Sequence, residues 1–145
     1  MKTYKGVYKP LNTDKYLGDP TNIIYRSSWE RQCMLFFDRN KDVLKWGSEE
    51  IIIPYRSPLD NKIHRYYVDF LIKVRTADNK IETHLIEVKP FKQTKPPTIQ
   101  QRKTKRYVNE VTTYLVNEAK WKAAQEYCKD RQWKFQLITE NELGR

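Results

Sequence analysis

Two stretches, HRYYVDFLIKVR (64–75) and IETHLIEVKP (81–90), are separated only by the turn signal TADNK, and no other feature constrains the fold as tightly. Both are rich in β-branched and aromatic residues, the composition of a pleated, half-buried surface. A third run, EEIIIPYRS (49–57), comes before them across the turn SPLDNK, and Pro54 either ends that strand or confines it to a sheet edge. Three successive strands with short connections predict an antiparallel meander.

Helices are expected on either side. In SSWERQCMLFFDRNKDV, Ser27 is placed to cap the first turn, and Trp29, Cys33, Phe36 and Phe37 recur at helical spacing as one apolar stripe. After Pro90, FKQTKPPTIQQRKTKR reads as a loop and a helix start. Helical character then runs to KDR (129–131), with a break allowed near Val111 to Val116 and an apolar face of Trp121, Ala124 and Cys128. WKFQLIT alternates as a last strand. The order α, β, β, β, α, β predicts an α/β (α+β) fold, a mixed sheet flanked by helices, in one domain spanning 27–145. Residues 1–26 mix Lys2, Tyr4, Lys5, Tyr8, Lys9, Lys15 and Tyr16 without sustained period and read as an extended arm. Such an arm suits either nucleic-acid or protein docking, or no more than a solvated tail.

The 145 residues carry a net charge of +10 and a pI near 9.6. That surplus points to a polyanionic partner, nucleic acid before an anionic membrane surface. No apolar run approaches the roughly 20 residues that span a bilayer, and MKTYKGVYKP lacks a signal-peptide core, so a soluble, cytoplasmically made protein is expected. Cys33 and Cys128 lie far apart, outside any CxxC pattern, and read as reduced thiols in helix cores. With only His64 and His84 to add, an ordinary zinc site is excluded and any metal must be held by oxygen. Neither histidine has an acid at matching period, so both read as plain strand or turn residues. Trp46, Tyr55, Tyr66 and Tyr67 fall beside apolar runs and read as packing rather than base stacking.

Burying an unpaired charge is costly, so the acids inside the strands need a reason. Strand alternation puts Leu85, Glu87 and Lys89 on one face, and antiparallel pairing brings Asp69 beside Glu87. Two adjacent carboxylates raise each other's proton affinity unless a cation lies between them. Mg²⁺ suits such a pair, completing its shell with water and substrate phosphate oxygens, and Mn²⁺ is able to substitute. The main-chain carbonyl of Val88 adds an oxygen, and Lys89 is placed to orient a water or stabilise developing charge.

Asp69 followed by Glu87-Val88-Lys89 resembles the PD-(D/E)XK nuclease superfamily, whose restriction-endonuclease-like core has the same αβββαβ order; Val68 stands where many members have proline. YRSSWE is similar to the first-helix stretch of TnsA-type transposon endonucleases, which implies that Glu30 is a further active-site acid. Ser27 and Glu30 equally form a capping box. The arm, WGSEEIIIPY, EVKP with TKPP, and KWKAAQEYC with ITENEL together resemble the head completion proteins of large tailed bacteriophages. The resemblance implies a nuclease that processes double-stranded DNA at or after packaging, before tail joining, in contact with head, portal or neck proteins. It places the protein in the virion, and in the host cytoplasm during assembly. Two other readings compete with it. One is a non-catalytic virion adaptor that keeps the nuclease fold and binds DNA or the portal. The other is a transposon or repair nuclease working with a partner. Lys92, Lys95, Arg102, Lys103, Lys105 and Arg106 follow the site strand and read either as DNA-backbone contacts or as a solvated basic face. No recognition helix stands out, so weak sequence preference is expected.

Overall fold

The structure, a computed structural model, describes residues 3–143, with side chains from Lys5 onward. A hairpin of β1 (Thr3–Tyr8) and β2 (Ile23–Ser27) leads directly into α1 (Ser28–Arg39) and β3 (Val43–Ser48). A second hairpin, β4 (Ile52–Arg56) with β5 (Ile63–Tyr67), precedes β6 (Phe70–Arg75) and β7 (Ile81–Val88). The long helix α2 (Lys105–Arg131) then returns the chain to β8 (Lys134–Ile138).

The main sheet has the order β3-β6-β7-β8, with β3, β6 and β7 antiparallel in turn and β8 parallel to β7. A parallel step requires a long crossover, which the 89–133 segment with α2 supplies. Both faces are covered, which explains the near-continuous apolar character of FLI and LI in β6 and β7. On one face Phe70, Ile72, Ile86 and Val88 pack with Trp46 against Cys33, Met34 and Phe37 of α1. On the other, Leu71 and Leu85 pack with Ala124 and Cys128 of α2 and with Ile53, Tyr55 and Tyr66 of the β4–β5 hairpin. The α/β class with a mixed sheet flanked by helices is the one predicted.

Several details differ from expectation. The strand opening the main sheet is VLKWGS, not EEIIIPYRS; the latter supplies β4, which pairs only with β5 and therefore tolerates Pro54 beside a free edge. HRYYVDFLIKVR is two strands, parted by a bend at Asp69. Residues 105–131 form one unbroken helix, because the weak propensity of Val111, Thr112 and Thr113 costs too little to break a helix anchored downstream by Asn117, Trp121, Ala124 and Cys128. On α1, Met34 takes the core position assigned to Phe36, which is 57% exposed.

The arm is also more ordered than its composition suggests. Tyr8, Tyr16 and Tyr25 are buried in the same core as α1. The fully buried carboxylate of Asp38 accepts hydrogen bonds from Tyr8 Oη at 2.7 Å and from the Leu11 and Asn12 amides at 2.7 and 3.1 Å. Lys15 Nζ donates to the Phe37, Asp38 and Asn40 carbonyls, closing the C-terminal end of α1 where cations are favoured. These residues serve the fold and are withdrawn from any docking role; Lys2 and the Tyr4 side chain lie outside the described residues.

Candidate active site

The register of β6 against β7 pairs Phe70 with Ile86, so the next step outward sets Asp69 against Glu87. Because Asp69 lies in the bend, its backbone no longer follows the ladder. Its amide donates to Glu87 Oε1 at 3.4 Å, and its own Oδ2 accepts from the Val88 amide at 2.8 Å. Glu87 is thus held by the Asp69 main chain, and Asp69 by the main chain of Val88, the residue after Glu87. Asp69 Oδ1 has no hydrogen-bond partner among the described residues.

Glu87 is 5% exposed and well provided with partners. Tyr66 Oη donates to its Oε1 at 2.8 Å, and Lys89 Nζ lies 3.7 Å from its Oε2. Lys89 shares the Glu87 face, as alternation predicted, and is partly exposed where β7 ends. Its amide donates to the Ile138 carbonyl of β8 at 2.9 Å, fixing the strand end.

Burial raises the Asp69 pKa well above the carboxylate range, and the charge of Glu87 raises it further; the Val88 hydrogen bond and Lys89 oppose this, while Glu30 adds to it. Glu87 is raised too, again by burial first, with Lys89 and Tyr66 resisting. The pair therefore resists double ionisation in the bare protein. Glu30 enters from the N-terminus of α1. Its amide donates to Ser27 Oγ at 3.1 Å and its Oε1 accepts from the Arg26 amide at 2.9 Å, so the capping function is realised. It is also near enough to the cluster to act on it electrostatically. Burial raises its pKa, as does Glu49, whereas Arg26 and Lys89 lower it.

Three neighbours went unnoticed in the sequence. Tyr66, assigned to packing alone, hydrogen-bonds Glu87. Glu49, ion-paired to Arg26, sits beside Glu30, and its amide donates to the Asp69 carbonyl at 3.1 Å. Lys120 reaches in from α2, with Nζ 5.5 Å from the Tyr66 ring centroid and 5.8 Å from that of Tyr55. Burial and then Lys89 pull its pKa down, while Glu87 and Asp69 push it up. Strand alternation signals none of these, since Tyr66 precedes the bend and Glu49 and Lys120 belong to other elements.

Among the described residues, no group of three or more His, Cys, Asp or Glu side chains is arranged to hold a metal ion. The donor set is a facing pair of carboxylates, with Glu30 at its margin. Contrary to expectation both histidines have an acid partner, His64 pairing with Asp60 at 2.8 Å and His84 with Glu82, two residues earlier in β7, at 3.0 Å, but both pairs lie outside this cluster. The basic segment divides. Lys92, Lys95, Lys105 and Arg106 line a groove of about 1210 Å³ between residues 92–100 and the first half of α2, whereas Arg102 and Lys103 are exposed off its walls. Asn117, on the groove's floor, is one turn of α2 from Lys120.

A mixed sheet clasped between helices, with acids and a lysine meeting at the open end of its central strands, is the architecture of a restriction-endonuclease-like nuclease. The chain belongs to the TnsA-like endonuclease N-terminal family, whose model matches residues 40–140. It is also 40% identical over 144 residues to the head completion nuclease of Enterobacteria phage T4, a likeness covering 97% of this chain and 93% of that protein. No solved structure matches it significantly. An endonuclease family implies DNA as the substrate class and divalent metal in general terms. No helix among the described residues is long and apolar enough to cross a membrane.

Proposed function

We propose that this protein is a Mg²⁺-dependent nuclease that hydrolyses phosphodiester bonds of double-stranded DNA as a phage head is completed, before tail joining. The observation that carries the reading is the pairing of Asp69 with Glu87 beside Lys89, a half-buried and a buried carboxylate whose joint charge calls for a cation. The residues fit Mg²⁺, which takes one or two carboxylates and fills its remaining positions with water and phosphate oxygens. Asp69 and Glu87 would hold it with the Val88 carbonyl, and Glu30 would support the metal or a water. When bound, the ion polarises the phosphodiester and lowers the pKa of water. Mn²⁺ would serve in its place.

In hydrolysis the water oxygen bonds to phosphorus, the bond to the leaving sugar oxygen breaks, and the proton that water loses is made good on that oxygen. Lys89 orients the attacking water and offsets the charge that builds on the phosphoryl oxygens. Tyr66 and the Asp69 amide keep Glu87 in place. Lys92, Lys95, Lys105 and Arg106 along the groove, with Arg102 and Lys103 beside it, would neutralise backbone phosphates without reading bases. Head, portal or neck proteins are the partners, in the virion and in the host cytoplasm during assembly. The adaptor alternative rests on the basic, Tyr-rich arm, whose Tyr8 and Tyr16 are buried in the core.

Purified protein incubated with plasmid DNA and Mg²⁺ or Mn²⁺ is expected to nick and linearise it. Glu87→Ala and Lys89→Ala lower the rate at least about 100-fold; equal cleavage by all three removes the site from consideration. An independent check concerns the basic wall. Replacing Lys92 and Lys95 by Ala should weaken duplex binding for every sequence alike. The slope of log K against log salt should shrink by about 2, as read from fluorescence anisotropy titrations at several salt concentrations.

A further inference from the structure

Lys120 is the cation of this site that the mechanism above leaves unused. It is half-buried on α2, and among the described residues its ammonium makes no hydrogen bond or close ion pair. Its neighbours are the ring faces of Tyr66 and Tyr55, at 5.5 and 5.8 Å. Lys89, by contrast, already has Glu87 Oε2 at 3.7 Å. An ammonium removed from water with its donors unspent is unfavourable unless an anion meets it. Ring faces supply a modest attraction but accept no hydrogen bond of ordinary strength. Tyr66 is the link, since its hydroxyl holds Glu87 while its ring lies near Lys120, which sets that ammonium beside the carboxylate end of the cleft.

We propose that Lys120 is a second substrate-contacting cation, donating from the α2 side of the cleft to a non-bridging oxygen of the phosphate that is cut. The assignment rests on the phosphodiesterase reading of the same site. Lys89 and Lys120 would then approach that phosphate from the strand and from the helix, and their mutual repulsion would be relieved when it binds.

The test uses the full chain with a duplex oligonucleotide whose main cleavage position has been mapped, once unmodified and once with a neutral methylphosphonate at that position. Lys120→Met is expected to slow single-turnover cleavage in Mg²⁺ about 100-fold, with the thermal midpoint unchanged and duplex Kd weakened far less than the rate. Lys120→Arg should recover at least about tenfold of that loss, because the guanidinium still donates. The methylphosphonate should slow wild type at least about tenfold more than it slows Lys120→Met, the coupling signature of a direct contact. Equal methylphosphonate penalties in the two proteins, or cleavage by Lys120→Met at the wild-type rate, overturn the assignment and leave Lys120 as a structural counter-charge. Lys120→Gln replaces the Met variant should that one fail to fold. A wild-type protein that cuts nothing in Mg²⁺ or Mn²⁺ brings down the phosphodiesterase reading itself, and that failure shows in the wild-type arm alone.

Discussion

Asp69→Asn is expected to lower metal-dependent DNA cleavage at least about 1,000-fold while raising the thermal midpoint of the metal-free protein at neutral pH. Opposite effects on activity and stability follow from one fact: the half-buried Asp69 carboxylate lies against that of Glu87, and desolvation and the Glu87 charge both raise its pKa. The amide can still accept from the Val88 N–H, so the local hydrogen bond survives, but the like-charge repulsion does not. The pH dependence has a definite sign. Folded Asp69 holds its proton more tightly than the unfolded chain does. The stability it contributes is therefore greatest below the unfolded carboxylate value of about 4. It is lost progressively as pH rises through the raised folded value. Differential scanning fluorimetry from pH 4 to 8 should show wild type falling relative to Asp69→Asn across that interval. Added Mg²⁺ or Mn²⁺ should restore wild type and leave the variant unchanged. A variant that melts lower than metal-free wild type at pH 8 would contradict this account.

Asp38→Ala is expected to destabilise the protein by about 3 kcal/mol or more, the largest effect on folding of any single acid here. Its carboxylate is fully buried, and it gathers the Tyr8 hydroxyl with the Leu11 and Asn12 amides, all from the end of β1 and the loop that follows it. Truncation orphans these donors together. Burial works to raise the Asp38 pKa, yet the donors outweigh it and the carboxyl titrates below its usual value. Its contribution is thus present above about pH 4 and lost as pH falls through the lowered folded value, the reverse of Asp69. Urea denaturation at pH 7 measures the loss, and the wild-type difference from Asp38→Ala should narrow in acid. A change under about 1 kcal/mol at pH 7 would mean that the arm packs without this anchor.

The parts of the site that were legible in the sequence obey a local period. Glu87 and Lys89 share a face because strand side chains alternate, and Asp69 meets Glu87 because a short turn between two apolar strands leaves few registers. Tyr66 was hidden by the bend after it, which turns a continuous β-like run into two strands in different sheets. β3 was overlooked because VLKWGS carries Lys45, Gly47 and Ser48, so its strand character rests on pairing with β6 rather than on composition. The arm's tyrosines show no period at all. Tyr8 is buried by its bond to Asp38 and Tyr16 by its edge contact with Trp46, and both are relations across many residues of chain. Lys120 illustrates the same limit, being one lysine among many on α2 until the fold shows what it faces.

The parallel pairing of β7 with β8 has a consequence for the order in which the sheet is completed. The amide of Lys89 is tied to the carbonyl of Ile138, across the whole excursion through α2. Closing so long a loop is slow and entropically costly compared with forming the β6–β7 hairpin. During synthesis the acids can meet early, but the strand end that presents Lys89 is not secured until residue 138 has left the ribosome. A nascent chain halted before that point would carry an assembled acid pair without its anchored lysine. The strand end that carries Lys89 is therefore among the last parts of the sheet to be fixed.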